Sequence, residues 1–235
     1  MKIMVINPNS SKEMTGAIRK VLEKIKRQDT ELTVTCPEHG PIEISSAYDE
    51  AVASFHMMDL IRKANEENYD AVIVACFSDP GLVAAKEVSD ILVVGIQEST
   101  MHVAATLGYK FSILTPGAKR IPSKYNDAWR NKLPHSMASV RPLGMTVTET
   151  EAKPELAQQR ILEVARQAVE EDNAEVIVLG CAGMVGYAEK AAKELGVVVL
   201  DPTSTAFKYT EALVDLGVKH SKRALFATPS EKEYL

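Results

Sequence analysis

Cysteine is scarce in this chain: Cys36, Cys76 and Cys181 are the only three in 235 residues. An odd number this small argues against a disulfide framework and for reduced thiols in the cytosol. A basic surplus is missing too. Lys and Arg number 27 against 32 Asp and Glu, for a net charge of −5, so little is available to neutralise a phosphate backbone. The longest uncharged, mostly apolar stretch, Val176–Ala188, has 13 residues and is broken by glycines. A membrane-spanning helix needs about 20. Met1–Ser11 reads as a strand rather than a secretory signal. Cofactor motifs are likewise lacking. There is no G-x-x-x-x-G-K-[ST] loop, and Gly180, Gly183 and Gly186 form G-x-x-G-x-x-G instead of the dinucleotide fingerprint. Cys36-Pro37-Glu38-His39 has no second ligand pair to complete a zinc site. No metal, pyridoxal phosphate or nucleotide is therefore expected.

What is present is a core and a repeat. The chain is 46% hydrophobic and 25% charged, which supports one large domain or two ordinary ones. Lys2-Ile3-Met4-Val5-Ile6-Asn7-Pro8-Asn9 returns in outline as Lys110-Phe111-Ser112-Ile113-Leu114-Thr115-Pro116-Gly117. Val72–Cys76 is matched by Val176–Cys181, with one extra residue before the second cysteine. The offsets, 108 and 104 residues, point to a duplicated domain rather than a solenoid.

Each half alternates Val/Ile-rich runs with amphipathic segments, the pattern of parallel sheets covered on both faces. The expected fold is α/β: two pseudo-symmetric flavodoxin-like domains, each with about four parallel strands, around a cleft. Residues 1–97 plus 204–235 would form the first domain and 98–203 the second, with Gln97–Tyr109 as a partly helical linker. Ser10 and Glu13 have the form of a capping box. Met14, Ala17, Ile18, Val21, Leu22 and Ile25 mark the inward face of the first helix. Ala51, Phe55, Met58, Ile61 and Ala64 do so for a helix near Glu50–Asn65. A helix over Ser204–Leu216 and a strand over Ala224–Ala227 are expected to return to the first half.

In open parallel sheets, ligands bind beyond the carboxyl ends of the strands. Asn7–Ser10, Cys76–Asp79, Thr115–Gly117 and Cys181–Gly183 occupy those places. Facing domains would bring Cys76 and Cys181 to one cleft from opposite sides. Such a pair suits inversion of a carbon acid, where a base removes a proton from one face and an acid returns it on the other. A free thiol titrates near ~8.5, so a modest shift lets thiolate and thiol coexist at neutral pH. Each cysteine also stands just ahead of an expected helix N-terminus, which favours the thiolate. The alternative is that both are small buried hydrophobes, the common fate of free cysteine. Cys36 has no counterpart in the second half, where Arg141 stands near its place, and reads as structural.

Three segments carry a family resemblance: Ile6–Ser11 with Met14-Thr15, Ala75-Cys76-Phe77-Ser78-Asp79-Pro80-Gly81-Leu82, and Leu179-Gly180-Cys181-Ala182-Gly183-Met184. In order and spacing they resemble the hydantoin racemases of the aspartate/glutamate racemase superfamily, over essentially the whole chain. The resemblance departs from glutamate racemases, which follow their cysteines with Asn-Thr and Thr-His. Here Phe77-Ser78 and Ala182-Gly183 follow instead. Allantoin racemases share much of the pattern, and allantoin is itself a 5-ureidohydantoin.

The resemblance implies a cofactor-independent racemase acting on 5-monosubstituted hydantoins, with Cys76 and Cys181 as the acid–base pair. It further implies that Asn9, Ser78, Thr115, Gly117 and Gly183 hold the ring, and that Ile44–Tyr48 lines the substituent pocket. Asp79 is expected to cap the helix that starts near Pro80. A homo-oligomer in the cytoplasm, with a small-molecule substrate and no nucleic-acid or membrane partner, completes the expectation. An allantoin racemase, an amino-acid racemase, a decarboxylase or cis-trans isomerase on the same fold, and a non-catalytic sensor are the alternatives.

Overall fold

The computed structural model describes residues 1–230. Two four-stranded parallel sheets form the frame. The first is built from β1 (Lys2–Ile6), β2 (Glu31–Thr35), β3 (Ala71–Val74) and β4 (Leu92–Gly95) in the order β2-β1-β3-β4. The second uses β5 (Phe111–Thr115), β6 (Met137–Pro142), β7 (Val176–Leu179) and β8 (Val198–Leu200) in the equivalent order β6-β5-β7-β8. The duplication is thus real at the level of topology. Registers correct its alignment, however. Ile3 pairs with Ala71 and Phe111 with Val176, so Ala71 corresponds to Val176 and Cys76 to Cys181. Both pairs are then 105 residues apart (71 to 176, 76 to 181), and the apparent extra residue disappears.

Continuous apolar strands are explained by burial on two faces. Ile3 and Val5 point into a core shared between the sheets, while Met4 and Ile6 point out toward α2 (Ala47–Glu66). Phe111, Ile113, Val176 and Val178 complete the shared core from the second sheet. The outer face of that sheet is covered by α7 (Pro154–Asp172) and α8 (Ala188–Leu195). Between the sheets run α1 (Lys12–Ile25), α4 (Ile96–Leu107), α5 (Ile121–Arg130) and α9 (Pro202–Asp215).

Two of these helices are exchanged. α4 leaves β4 but packs on β7 and β8, whereas α9 leaves β8 and packs on β3 and β4. The expected linker Gln97–Tyr109 is therefore mostly α4, a structural helix of the middle layer. The remaining helices, α3 (Leu82–Val88) and α6 (Val147–Ala152), are short. Among the described residues no helix is long and apolar enough to cross a membrane.

Several local expectations are corrected. Ser11, not Ser10, caps α1: its Oγ accepts the Met14 N–H at 3.1 Å, while the Ser10 hydroxyl donates to the Gly40 carbonyl. On α1, Ala17 is exposed and Thr15 takes a buried place. α2 turns Ala53, Met57, Ile61 and Ala64 inward and leaves Ala51 exposed and Phe55 76% exposed. Ile61 and Ala64 are inward as expected, whereas Ser54 and Met58 lie against Gly81 ahead of α3. No strand forms over Ala224–Ala227, which is a turn closed by the Ala227 N–H on the Ala224 carbonyl at 2.9 Å. The outer edge of β4 is met there by a side chain, with the Val93 N–H donating to Nε2 of His220. Residues 231–235 of the expected first domain lie outside the described residues.

Candidate active site

All four expected strand-end segments contribute to one cleft of about 230 Å³ at the carboxyl edges of both sheets. Asn7 and Asn9 follow β1, Ala75–Ser78 follow β3, Thr115–Gly117 follow β5 and Gly180–Ala182 follow β7. Cys76 and Cys181 therefore line the same cavity from different sheets. Ile44 and Ser45 form part of its wall, and Tyr48, further along the expected loop, is 78% exposed.

Neither cysteine heads an α-helix, contrary to the sequence expectation. Cys76 opens a turn in which its carbonyl accepts the Asp79 N–H at 2.9 Å, and α3 begins only at Leu82. Its Sγ lies 3.4 Å from the Ser78 hydroxyl. Burial pushes the Cys76 thiol up, opposed by the Ser78 hydrogen bonds and the nearby Lys124 charge. Cys181 caps a 3-10 turn, Ala182–Met184, and α8 starts later at Ala188. The Gly183 N–H donates to Cys181 Sγ at 3.3 Å. Ahead of it, Gly180 passes so close to β5 that a Cβ would lie 2.6 Å from the Leu114 carbonyl.

The expected ring-holding residues divide by geometry. Ser78, Thr115 and Gly117 line the cleft, and the Thr115 hydroxyl donates to the Gly117 carbonyl at 3.1 Å. Asn9 also lines it, but its Oδ1 accepts from Asn7 Nδ2 at 2.6 Å and from the Ser11 N–H at 2.9 Å. That oxygen thus shapes the turn after β1. Gly183 is outside the lining, with its N–H on the Cys181 sulfur. Cys36, just past β2, is half-buried and likewise outside it.

Asp79 does not cap α3. Its backbone is left-handed (φ 45°), and its carboxylate accepts the Gln97 N–H at 3.0 Å and the Glu98 N–H at 2.8 Å. It caps the exchanged helix α4. Burial, the largest influence, pushes this carboxyl up to about 7 against those two hydrogen bonds. Asp201 does the matching job for α9, accepting from Thr203 and Ser204 and also from the Gly186 N–H at 2.7 Å. Each exchanged helix thus begins on a buried carboxylate tied to a loop that carries a cysteine.

Sequence reasoning missed the charged residues of the cleft. Lys124 on α5 is only 3% exposed, yet it lines the cavity beside the Cys76 loop. Arg120 forms an ion pair with Glu50 of α2, and Glu43 accepts from the Thr148 hydroxyl at 2.6 Å, both links running from one half to the other. On an amphipathic pattern such residues read as solvated, and no local signal marks them. Among the described residues, no group of three or more His, Cys, Asp or Glu side chains is placed to hold a metal ion.

Comparison with known proteins adds an independent line. A family model described as Asp/Glu/Hydantoin racemase matches residues 3–210. The chain is 40% identical to a hydantoin racemase of Pseudomonas sp. (strain NS671) over 237 aligned positions, covering 100% of this chain and 94% of that one. It is 38% identical to a hydantoin racemase of Paenarthrobacter aurescens, with both chains covered completely (100% each). Among solved structures, allantoin racemase from Klebsiella pneumoniae superposes with a TM-score of 0.95 at 35% identity, covering 99% of this chain and 95% of that one.

Proposed function

Because the chain belongs to the Asp/Glu/hydantoin racemase family and is a racemase, we propose that it interconverts D- and L-5-monosubstituted hydantoins by two-base proton transfer. One thiolate of the Cys76/Cys181 pair takes the C5 proton, forming an S–H bond as the C5–H bond breaks. The electron pair passes into the adjacent C4 carbonyl as an enolate. The opposite thiol then protonates C5 from the other face and is left as thiolate. The single observation that carries this reading is that equivalent cysteines of a duplicated unit line one cleft from opposite sheets.

In this reading Ser78, Thr115 and Gly117 contact ring oxygens and nitrogens, and Asn9, whose Nδ2 donates to Met14 Sδ at 3.3 Å, adds its remaining amide hydrogen. Gly183 acts through Cys181 by donating to its sulfur. The reaction needs no cofactor, since the C5 hydrogen is already acidified by the carbonyl next to it. The resemblance also implies a homo-oligomer, which sedimentation velocity would test.

A second substrate has a specific observation in its favour, the similarity to an allantoin racemase structure. Allantoin has the same ring and the same acidic C5 hydrogen, with a ureido substituent. The test follows optical rotation of an L-5-alkylhydantoin, and separately of one allantoin enantiomer, with the purified protein. Decay of rotation at constant absorbance supports racemisation, and the larger kcat/KM identifies the substituent. Carbon dioxide release from a malonate-type acid, or saturable hydantoin binding without turnover, would overturn the reading.

A further inference from the structure

The cleft contains a buried cation for which proton transfer between two thiols has no obvious need. Lys124 projects from α5, in the second half of the chain, to the cysteine loop of the first half. Its Nζ donates to the Phe77 carbonyl, the residue after Cys76, and lies 3.2 Å from Asp127 Oδ2. The ammonium also sits over the Phe77 ring, 5.3 Å from its centroid. Gln97 of α4 braces the same point, its Nε2 donating to the Phe77 carbonyl at 2.8 Å and to Asp127 Oδ2 at 3.0 Å.

Burying an ion pair of this kind is a poor source of stability, because desolvation offsets most of the attraction. An ammonium has three donors, and among the described residues two acceptors are found for this one, Phe77 and Asp127. The group faces the cavity. Its placement makes sense as service to the neighbouring thiol.

We propose that Lys124 is a positioning residue for Cys76, holding the Cys76–Asp79 turn through the Phe77 carbonyl and setting a positive charge beside the sulfur when it is a thiolate. The proposal rests on the reading of Cys76 as an acid–base group. Other charges face this loop. Asp79 stands within it, and Glu98, paired with Lys86, follows on α4. Asp127 lies behind Lys124. Glu43, Lys119 and the Glu50–Arg120 pair line the same cleft. Of these, Lys124 is the cation bonded directly to the residue after Cys76, and Asp79 is the anion that opposes it.

The test measures iodoacetamide alkylation of Cys76 against pH, read at that residue by peptide mass spectrometry in the full-length protein. The proteins are wild type, Lys124→Met, Lys124→Arg, and Lys124→Met with Asp127→Asn, which leaves no orphaned carboxylate if the single variant misfolds. In both methionine variants the alkylation midpoint should move up, with the rate at pH 7 falling about tenfold, the effect of one pKa unit. Lys124→Arg should recover a substantial part. A midpoint unmoved in a folded methionine variant overturns the proposal. This readout is independent of turnover. If the wild-type protein racemises no hydantoin, the functional reading fails on its own account, and the alkylation result still decides the role of Lys124.

Discussion

The carboxylate of Asp79 occupies the space in which a side chain on Gly95 would begin. A Cβ at Gly95 would lie 2.3 Å from Asp79 Oδ2 and 2.4 Å from its Cγ. Gly95 ends β4 and precedes the first residue of α4, so this contact is where the Cys76 loop meets the exchanged helix.

Gly95→Ala should therefore displace Asp79, uncap α4 and shift the Cys76 turn together. Loss of a cap costs about 0.5–2 kcal/mol and overpacking about 1–3 kcal/mol. Urea denaturation should show a loss within the combined range, accompanied by a fall in kcat. Wild-type stability and activity would mean that the loop relaxes without consequence.

Asp79 should impose a pH dependence on stability. Its folded-state carboxyl titrates at about 7 against an ordinary value of 3.8. Between those values the folded chain holds a proton that the unfolded chain has released. Its contribution to stability therefore falls as pH rises through that window and is level above it. Asp201 is also pushed up by burial, while Asp49 and Asp172 are held low by their hydrogen bonds, so the whole-protein curve mixes signs. The useful quantity is the difference between wild type and Asp79→Asn from pH 5 to 8, measured by urea unfolding. Relative to the variant, wild type should lose stability on going up in pH; parallel curves would contradict the assignment.

Cys76→Ser and Cys181→Ser should each abolish net racemisation, because a hydroxyl is far too weak a base at neutral pH. Each variant retains one thiol and should still exchange the C5 hydrogen with solvent for one enantiomer. The preferred enantiomer should be opposite in the two variants. Proton NMR of each pure enantiomer in heavy water, corrected for spontaneous exchange, reads this directly. Near wild-type racemisation by either variant would exclude the two-thiol mechanism.

The Glu50–Arg120 pair joins α2 to the start of α5 across the cleft, with both side chains about one quarter exposed (23% each). An ion pair with this much solvent contact contributes at most about 1 kcal/mol to folding. Arg120→Met should then change Tm little and raise KM several-fold, since the pair lines the cavity. Steady-state kinetics with an unaltered KM would reduce the pair to a surface link.

The sequence by itself was sufficient for the duplication, the parallel α/β architecture and the two cysteines at strand ends. These are short-range or periodic signals. Strands buried on both faces must be apolar throughout, as in Val72–Val74 and Val176–Leu179, and the residues just past their carboxyl ends are the ones a cleft can use. Only the tertiary structure decided that the segment after β4 is a helix of the middle layer on β7 and β8 instead of a linker. On α2 the tertiary structure puts Phe55 outside and Met57 inside, with Ser54 and Met58 against Gly81 ahead of α3. Asp79 caps α4, 18 residues further on, instead of the helix beside it. Lys124 reaches the carbonyl of Phe77 across 47 residues of chain. Periodicity reports whether a helix has an apolar face and is blind to the sheet that face will meet. With α4 and α9 exchanged, the polar ends of the middle-layer helices gather around the cysteine loops, and the charges that line the cleft come from residues no local pattern distinguishes.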